Sequence, residues 1–295
     1  MASLKNLESG DLAERRYVAK RYVYLESEED VQILAERWFN DRGAKVEFRA
    51  AGDGLGGGCN RVIAQVEKDV ENGIDAVGIL DRDSLAARSH WDAFFDTSDA
   101  SCSNRSPFGK RVYVLRCWEI ENYLLHPLVI ESFVADEQGR CRRAEEDVNR
   151  ELFDILCDLI PLVAGSLVLT SYGLRKLDMG YGLGQTLLVN HTQIARQLES
   201  RLSPEAAESL DICIDHIAGF GGAHHDRSAA HWLDMIRGID GKRFLVWLIH
   251  RHKLGKAREI RFHLASLTRN CGVLNAVLDD FFFQLVSAQR ETGMA

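Results

Sequence analysis

Three hydrophobic runs in the first half of the chain each end on carboxylates, and no other feature restricts the fold as tightly. Tyr22-Val23-Tyr24-Leu25 closes on Glu26. Val77-Gly78-Ile79-Leu80 closes on Asp81-Arg82-Asp83. Val112-Tyr113-Val114-Leu115 leads to Glu119-Ile120-Glu121-Asn122-Tyr123. Short continuous apolar runs of this kind read as strands buried in a parallel sheet. Ligands of such sheets gather in the crevice beyond the carboxyl ends of the strands. Carboxylates collected there repel one another, and a hard divalent cation such as Mg²⁺ relieves that repulsion. The order of these runs therefore predicts a metal-dependent phosphoryl-transfer site.

Helix patterns fill the spaces between the runs. Glu28 to Arg42 sets Val31, Leu34, Ala35 and Trp38 on one face, with Gly43 as its stop. Lys45 to Ala50 reads as a second strand. The glycine-rich loop Gly52 to Gly58 follows, and then a helix that Asn60 caps and Gly73 closes. Asp75 to Leu80 and Lys110 to Leu115 are the third and fourth strands, with a helix from Ser84 to about Phe95 and a polar loop, Asp96 to Gly109, between them. This rhythm predicts an α/β fold, a parallel sheet with helices on both faces. From Pro127 onward the pattern is helical: 145–167, 185–202, 204–217, 229–236, 243–252 and 273–290. The expected organisation is a domain over residues 1–126 and a helical region over 127–295.

Hydrophobic residues make up 46% of the 295 positions and charged residues 27%, which suits a packed globular core. No stretch is expected to span a bilayer, and the start, Met1-Ala2-Ser3-Leu4-Lys5, lacks the apolar core of a signal peptide. The expectation is a cytoplasmic protein with no membrane contact. The seven cysteines form no C-x-x-C pair, which argues against a zinc ribbon or a disulfide framework, and they are expected to be mostly buried thiols. A net charge of −8 disfavours broad nonspecific nucleic-acid binding, so any nucleic-acid surface must be a local basic patch.

Asp81 and Asp83 stand at i and i+2 of an extended segment and point to the same side, so both can face one cation. The same spacing also occurs in plain solvated turns. Glu26, at another strand end, favours the metal reading. So does Glu121, because an acid in an apolar stretch needs a partner.

Tyr24-Leu25-Glu26-Ser27-Glu28-Glu29-Asp30-Val31, then Leu80-Asp81-Arg82-Asp83, then Ile120-Glu121-Asn122-Tyr123-Leu124 together resemble TOPRIM domains. The branch is that of overcoming-lysogenization-defect (OLD) nucleases and stand-alone defence effectors. Length and layout are most similar to the AriB-type nuclease effectors of the PARIS anti-phage systems. The resemblance covers residues 20 to 126. It departs from the pattern at Ser27, where the family has glycine. It implies that Glu26 is the acid/base carboxylate or a metal ligand, that Asp81 and Asp83 hold Mg²⁺ (Mn²⁺ as a substitute), and that Glu121 is a further ligand or a group just behind the ligands. Asp30 is a further acidic member. It further implies a toxic endonuclease held by an ABC/SMC-like ATPase partner of the AriA type. A phage-encoded trigger would release it as a homodimer that cleaves tRNA. The residues alone also admit a noncatalytic regulatory module that contacts a partner, and a TOPRIM nickase of DNA metabolism.

Other motifs read more plainly. Gly52-x-Gly54-x-x-Gly57 follows the second strand and lacks a Gly-Lys-Ser/Thr, so it is no P-loop. His224, His225, Asp226 and His231 invite a zinc reading, though a polar turn before a helix explains them as well. Arg15, Arg16, Lys20 and Arg21 form one basic cluster. Arg251, His252, Lys253, Lys256, Arg258, Arg261 and His263 form a second, a candidate surface for nucleic-acid backbone. Phe281-Phe282-Phe283 cannot all point inward from one helix, and a core or dimer contact is expected there.

Overall fold

The computed structural model describes residues 20–42, 46–52, 58–98, 106–177, 191–221, 229–274 and 278. Its sheet has four strands: β1 Arg21–Leu25, β2 Val46–Ala50, β3 Ala76–Leu80 and β4 Val112–Val114. They lie in the order β2-β1-β3-β4 and every pairing is parallel. Register sets Val23 opposite Phe48 and Val77, and Leu80 opposite Val114. The chain steps from β1 outward to β2 and then crosses back past β1 to β3. The direction of winding therefore reverses between β1 and β3, which is where a doubly wound sheet opens a crevice at its carboxyl ends.

Side chains alternate across the sheet. Tyr24, Ala76, Leu80 and Val112 pack with Val62 and Val66 of α2, Gly58–Glu71. Tyr24 also donates from its hydroxyl to Asp69 Oδ2 at 2.5 Å, tying that helix to β1. Val23, Leu25, Val77 and Ile79 face the opposite way into a larger cluster. That cluster runs without a break into the helical half: α5 Pro127–Gln138, α6 Glu145–Ser171, α7 His191–Arg201, α8 Pro204–Gly219, α9 Ala229–Ile236, α10 Gly241–His252 and α11 Ala257–Asn270. The helices from Pro127 onward share one apolar core with the sheet face they cover.

Several elements differ from the sequence reading. The helix expected over 28–42 is an α-turn, α1 Glu28–Val31, that widens into a π-helical stretch Gln32–Trp38 and ends in a 3₁₀ turn Asn40–Arg42. Trp38 is buried there, its indole N–H donating to the carbonyl of Ala265 at 3.0 Å. The helix expected over 84–95 is two pieces, α3 Asp83–Ala87 and α4 Trp91–Phe94, broken at Ser89 with φ 59°. Asn60 lies inside α2, which begins at Gly58. Helices α5 and α11 were not foreseen.

The 27-residue α6, with a mean hydropathy of 2.1 over its most apolar window, is long and apolar enough to cross a bilayer. This corrects the expectation that no such stretch exists. The helix is apolar because it is the central core helix, with 78% of that window buried in the fold. Of the cysteines described, Cys117 is buried but Cys141 and Cys157 are exposed, against the expectation of mostly buried thiols. Gly43, the loop residues 53–57, His224 to Asp226 and Phe281 to Phe283 lie outside the described residues.

Candidate active centre

Glu26 follows the last residue of β1 and turns toward β3. Its Oε1 accepts from the backbone N–H of Asp81 at 3.2 Å and from the hydroxyl of Ser84 at 3.3 Å. Its Oε2 lies against Gly58 at the start of α2, where a Cβ would overlap it. Only glycine allows that approach. Burial raises the pKa of Glu26, and the neighbouring Asp83 adds to the rise. The Asp81 and Ser84 hydrogen bonds partly offset it. Ser27 sits after Glu26 without strain. Its backbone is extended (φ −141°), its Oγ accepts from Asp30 N at 3.1 Å, and it donates to Asp30 Oδ2 at 2.6 Å. It is a good N-cap for α1, and it fixes Asp30 one turn beyond Glu26.

The Asp81-Arg82-Asp83 segment is not extended as expected: Arg82 has helical backbone (φ −64°, ψ −27°) and Asp83 is the first residue of α3, so the same-side placement of an extended i, i+2 pair does not hold here. Arg82 is 1% exposed. Its guanidinium donates to the carbonyls of Phe94 (2.9 Å), Arg116 (2.7 Å), Ala93 (3.2 Å) and Asp96 (2.6 Å). Asp83 Oδ2 is 3.3 Å from Lys176 Nζ. Burial drives the pKa of Asp81 well above the usual carboxylate range. Lys242 pulls it back, and Glu119, Glu26 and Asp30 add to the rise. Glu26, Asp30, Asp81 and Asp83 therefore share one electrostatic neighbourhood at the ends of β1 and β3.

The third acidic segment folds as a 3₁₀ turn, Ile120–Leu124, after β4. Asn122 fastens it. Its Oδ1 accepts from Glu119 N at 2.9 Å, and its amide donates to the carbonyls of Ile236 (2.7 Å) and Ile239 (2.9 Å). Tyr123 accepts at its hydroxyl from Cys117 N at 3.2 Å. Asn122 and Tyr123 are thus structural, whereas Glu121 faces the acids. Both Glu121 oxygens are buried without a well-formed hydrogen bond, although Arg261 Nη2 lies 2.6 Å from Oε1. Burial raises the Glu121 pKa. Lys242 and Arg261 oppose that rise, and Asp30 reinforces it.

Besides Lys176, two cations from the helical half enter this centre, and the sequence reading foresaw neither role. Lys242, at the start of α10, donates from Nζ to Glu119 Oε2 at 2.7 Å and from its backbone N–H to Glu119 Oε1 at 2.5 Å. Its Nζ is also 3.8 Å from Glu121 Oε1. Burial lowers its pKa, but Glu119, Glu121 and Asp81 outweigh that and leave it raised. Glu119 is pushed up to about 8 by burial, with Glu121 and Asp240 adding to the rise and Lys242 opposing it. Nothing in the local sequence Asp240-Gly241-Lys242 marks this lysine. Its role comes from α10 packing against the 3₁₀ turn. Arg261, assigned above to the basic surface, turns inward instead. It pairs with Glu29, with Asp30 at 3.4 Å and with Glu121.

The rest of that cluster stays outside. Lys253, Lys256 and Arg258 are exposed around the turn between α10 and α11. Arg258 reaches Glu29 at 3.4 Å, and Arg251 lies 3.8 Å from Glu151. The basic surface is therefore a short ridge beside the acidic crevice. In the first basic cluster, Arg15 and Arg16 lie outside the described residues, and Arg21 is buried against Asp75 at 2.8 Å.

Among the described residues, no three His, Cys, Asp or Glu side chains stand together at distances that could hold a metal ion. The donors at the crevice suit a hard divalent cation in their chemistry, though not in their spacing as they stand. All are carboxylate oxygens at one strand-end crevice, Glu26 and Asp81 carry raised pKa values, and both Glu121 oxygens are buried without a sound hydrogen bond. Lys176, Lys242 and Arg261 supply positive charge at the margins.

Comparison of the chain with protein-family models, with curated proteins and with solved structures gave no match.

Proposed function

We propose that this chain is a Mg²⁺-dependent endonuclease of the TOPRIM type. The observation that carries this reading is the meeting of Glu26 with Asp81 at the switch point between β1 and β3, with Asp83, Asp30 and Glu121 alongside. Glu26, Asp81 and Asp83 would hold the cation, with Glu121 at its edge. A bound Mg²⁺ would polarise the scissile phosphate and ease deprotonation of the attacking water. Glu26, whose pKa burial raises above the usual glutamate value, is the carboxylate proposed to take up and return the proton. Lys176 and Lys242 flank the acids and offer charge to the phosphate oxygens. Arg261 orients Glu121 and Asp30.

The biological setting rests on the resemblance of the Glu26, Asp81-Arg82-Asp83 and Ile120-Glu121-Asn122-Tyr123 segments. On that basis the chain is the toxic effector of a PARIS-like anti-phage system. It acts in the cytoplasm, is restrained by an ABC/SMC-like ATPase and is released by a phage trigger. As a homodimer it then cleaves tRNA. A noncatalytic partner-binding module is the second reading. It draws support from Lys242 and Arg261, which already neutralise part of the acidic cluster.

The test is cleavage of tRNA by the purified chain in Mg²⁺, with and without chelator, comparing the wild type with Asp81→Asn/Asp83→Asn. The nuclease reading expects cleavage that depends on the metal and is lost in the double variant. Undiminished cleavage by that variant would place the chemistry elsewhere.

A further inference from the structure

Helix α10 starts in the acidic centre, at Lys242, and ends at a turn of the opposite charge. Residues 250–258 hold Arg251, Lys253, Lys256 and Arg258 and no carboxylate, in a chain of net charge −8. All four are exposed. The place suits cations, because the carbonyl end of a helix is the negative end of its dipole. His252 is half-buried among them. Burial lowers its pKa; Glu151 opposes this, and Arg143, Arg251 and Arg140 add to the fall. The turn therefore sits in a positive field that also draws on the loop between α5 and α6.

The acids near the turn fix its arginines and leave its lysines uncovered. Glu151 takes Arg143 at 2.5 Å and lies 3.8 Å from Arg251. Glu29 takes Arg258 at 3.4 Å and also pairs with Arg261. Glu259, exposed beside Arg258, is the first acid past the turn. Among the described residues, neither Lys253 nor Lys256 has an ion-pair partner. Bonds from Lys253 N to His250 O at 3.4 Å and from Leu254 N to Ile249 O at 3.0 Å close the turn, and Leu254 packs on the core, so the two lysines ride on a fixed loop. Lys253 is also strained. It ends α10 in left-handed backbone (φ 55°), the conformation glycine adopts at helix ends, and among the described residues only Ser89 shares a positive φ without being glycine. A lysine kept there, where glycine would relax the backbone, points to a use for its side chain.

The exposed charge leads one way. Glu145, Glu146 and Asp147 stand exposed at the head of α6, just past the α5–α6 loop, and repel a polyanion there. In the other direction, Arg258 and then Arg261, one turn further along α11, reach Glu29, Asp30 and Glu121 at the acidic centre. The length of α10, 12 residues or about 18 Å, separates Lys242 from Lys253. We propose that the turn between α10 and α11 grips the phosphodiester backbone of a nucleic acid, with Lys253, Lys256 and Arg258 on successive phosphates, and that the strand runs from there past Arg258 to the crevice at the ends of β1 and β3. Backbone binding stands by itself, whereas the strand's course to the crevice rests on the nuclease reading. Charge of this kind holds a phosphate chain without reading its bases, so the turn grips RNA and DNA alike.

Fluorescence anisotropy of the full chain tests it, with labelled tRNA and a labelled DNA duplex, in chelator so that nothing is cut. Lys253→Gly with Lys256→Gln removes the two unpaired charges, and glycine suits the backbone at 253. The double variant is expected to bind both probes about tenfold more weakly in about 0.1 M salt. Its plot of log Kd against log salt should be shallower by about 1.4 to 1.8, at roughly 0.7 to 0.9 for each lost phosphate contact. Its thermal midpoint should not fall. Unchanged affinity and slope in the folded double variant, or no salt-dependent binding by the wild type, would overturn the site. So would a loss confined to polyglutamate or to phosphatidylserine vesicles, with tRNA and DNA unaffected, because the turn would then serve a protein or a membrane. Cleavage separates the two readings. In Mg²⁺ the double variant is expected to raise KM for tRNA by about tenfold and leave kcat unchanged. Binding that depends on the two lysines, in a chain that cuts nothing, would keep the backbone site and remove the nuclease reading. Cutting with a KM that the double variant leaves unmoved would overturn the strand's course to the crevice.

Discussion

Lys242 grips Glu119 twice, side chain to side chain at 2.7 Å and backbone N–H to carboxylate at 2.5 Å, and so joins α10 to the segment that follows β4. Glu119 is 4% exposed, whereas Lys242 is about half exposed, so the loss is borne by the glutamate. Removing one partner of a buried pair leaves the other charge uncompensated. Lys242→Ala should lower unfolding stability by about 2 kcal/mol, less than for a fully buried pair. Adding Glu119→Gln should recover most of that loss. Urea denaturation of the two variants checks this, and a single variant as stable as wild type would refute it.

The approach of Gly58 to Glu26 gives a second expectation. A methyl group at residue 58 must displace the Glu26 carboxylate, yet it adds a good helix former at the head of α2. Gly58→Ala should cut metal-dependent cleavage by about 10- to 100-fold, the scale of a small misplacement of a catalytic group. The thermal midpoint should hardly move. Full activity in this variant would show that the Glu26 position is not critical.

Glu131 supplies a pH dependence far from the acidic centre. Burial would raise its pKa, but bonds from Arg140 and Arg143 outweigh that and hold it at about 2. A depressed carboxylate pKa stabilises the fold above the ordinary value of 4.5, and the contribution fades as pH falls toward 2. Glu131→Gln should therefore cost about 2 to 3 kcal/mol at neutral pH. The gap from wild type should narrow between pH 4.5 and 2. Denaturation at neutral and at acid pH measures it, and a gap that does not change with pH would contradict the assignment.

The sheet and its acids were legible because buried parallel strands are written as unbroken apolar runs, and because Glu26, Asp81 and Asp83 sit at their ends. The second and third strands are one residue shorter than read, and β4 is three residues shorter, at Val112–Val114. Helix α5 carried its own signals, Pro127 in its first turn and Gly139 in left-handed backbone just past its end, but it fell at the presumed boundary. Helix α11 was hidden by its charge. Its arginines read as a surface patch, while Ile260, Leu264 and Thr268, four apart, are buried. That same helix period turns Arg261 inward. Neither the π-helical widening at Gln32–Trp38 nor the partnership of Lys242 with Glu119 across 123 residues has a local signature, because both arise from packing between distant elements. The stacking of Phe95 on His216 has no local signature for the same reason: the two rings meet only after Pro204–Gly219 packs over Trp91–Phe94.

The account stands on Glu26 as the proton-handling carboxylate of a nuclease centre. The most direct measurement is sequencing of cellular RNA ends after induction of the wild type and of Glu26→Ala, with folding of both confirmed by thermal melting. New tRNA ends and growth arrest with the wild type, both absent with the alanine variant, are predicted. The same ends and the same arrest from a folded Glu26→Ala chain would contradict the account.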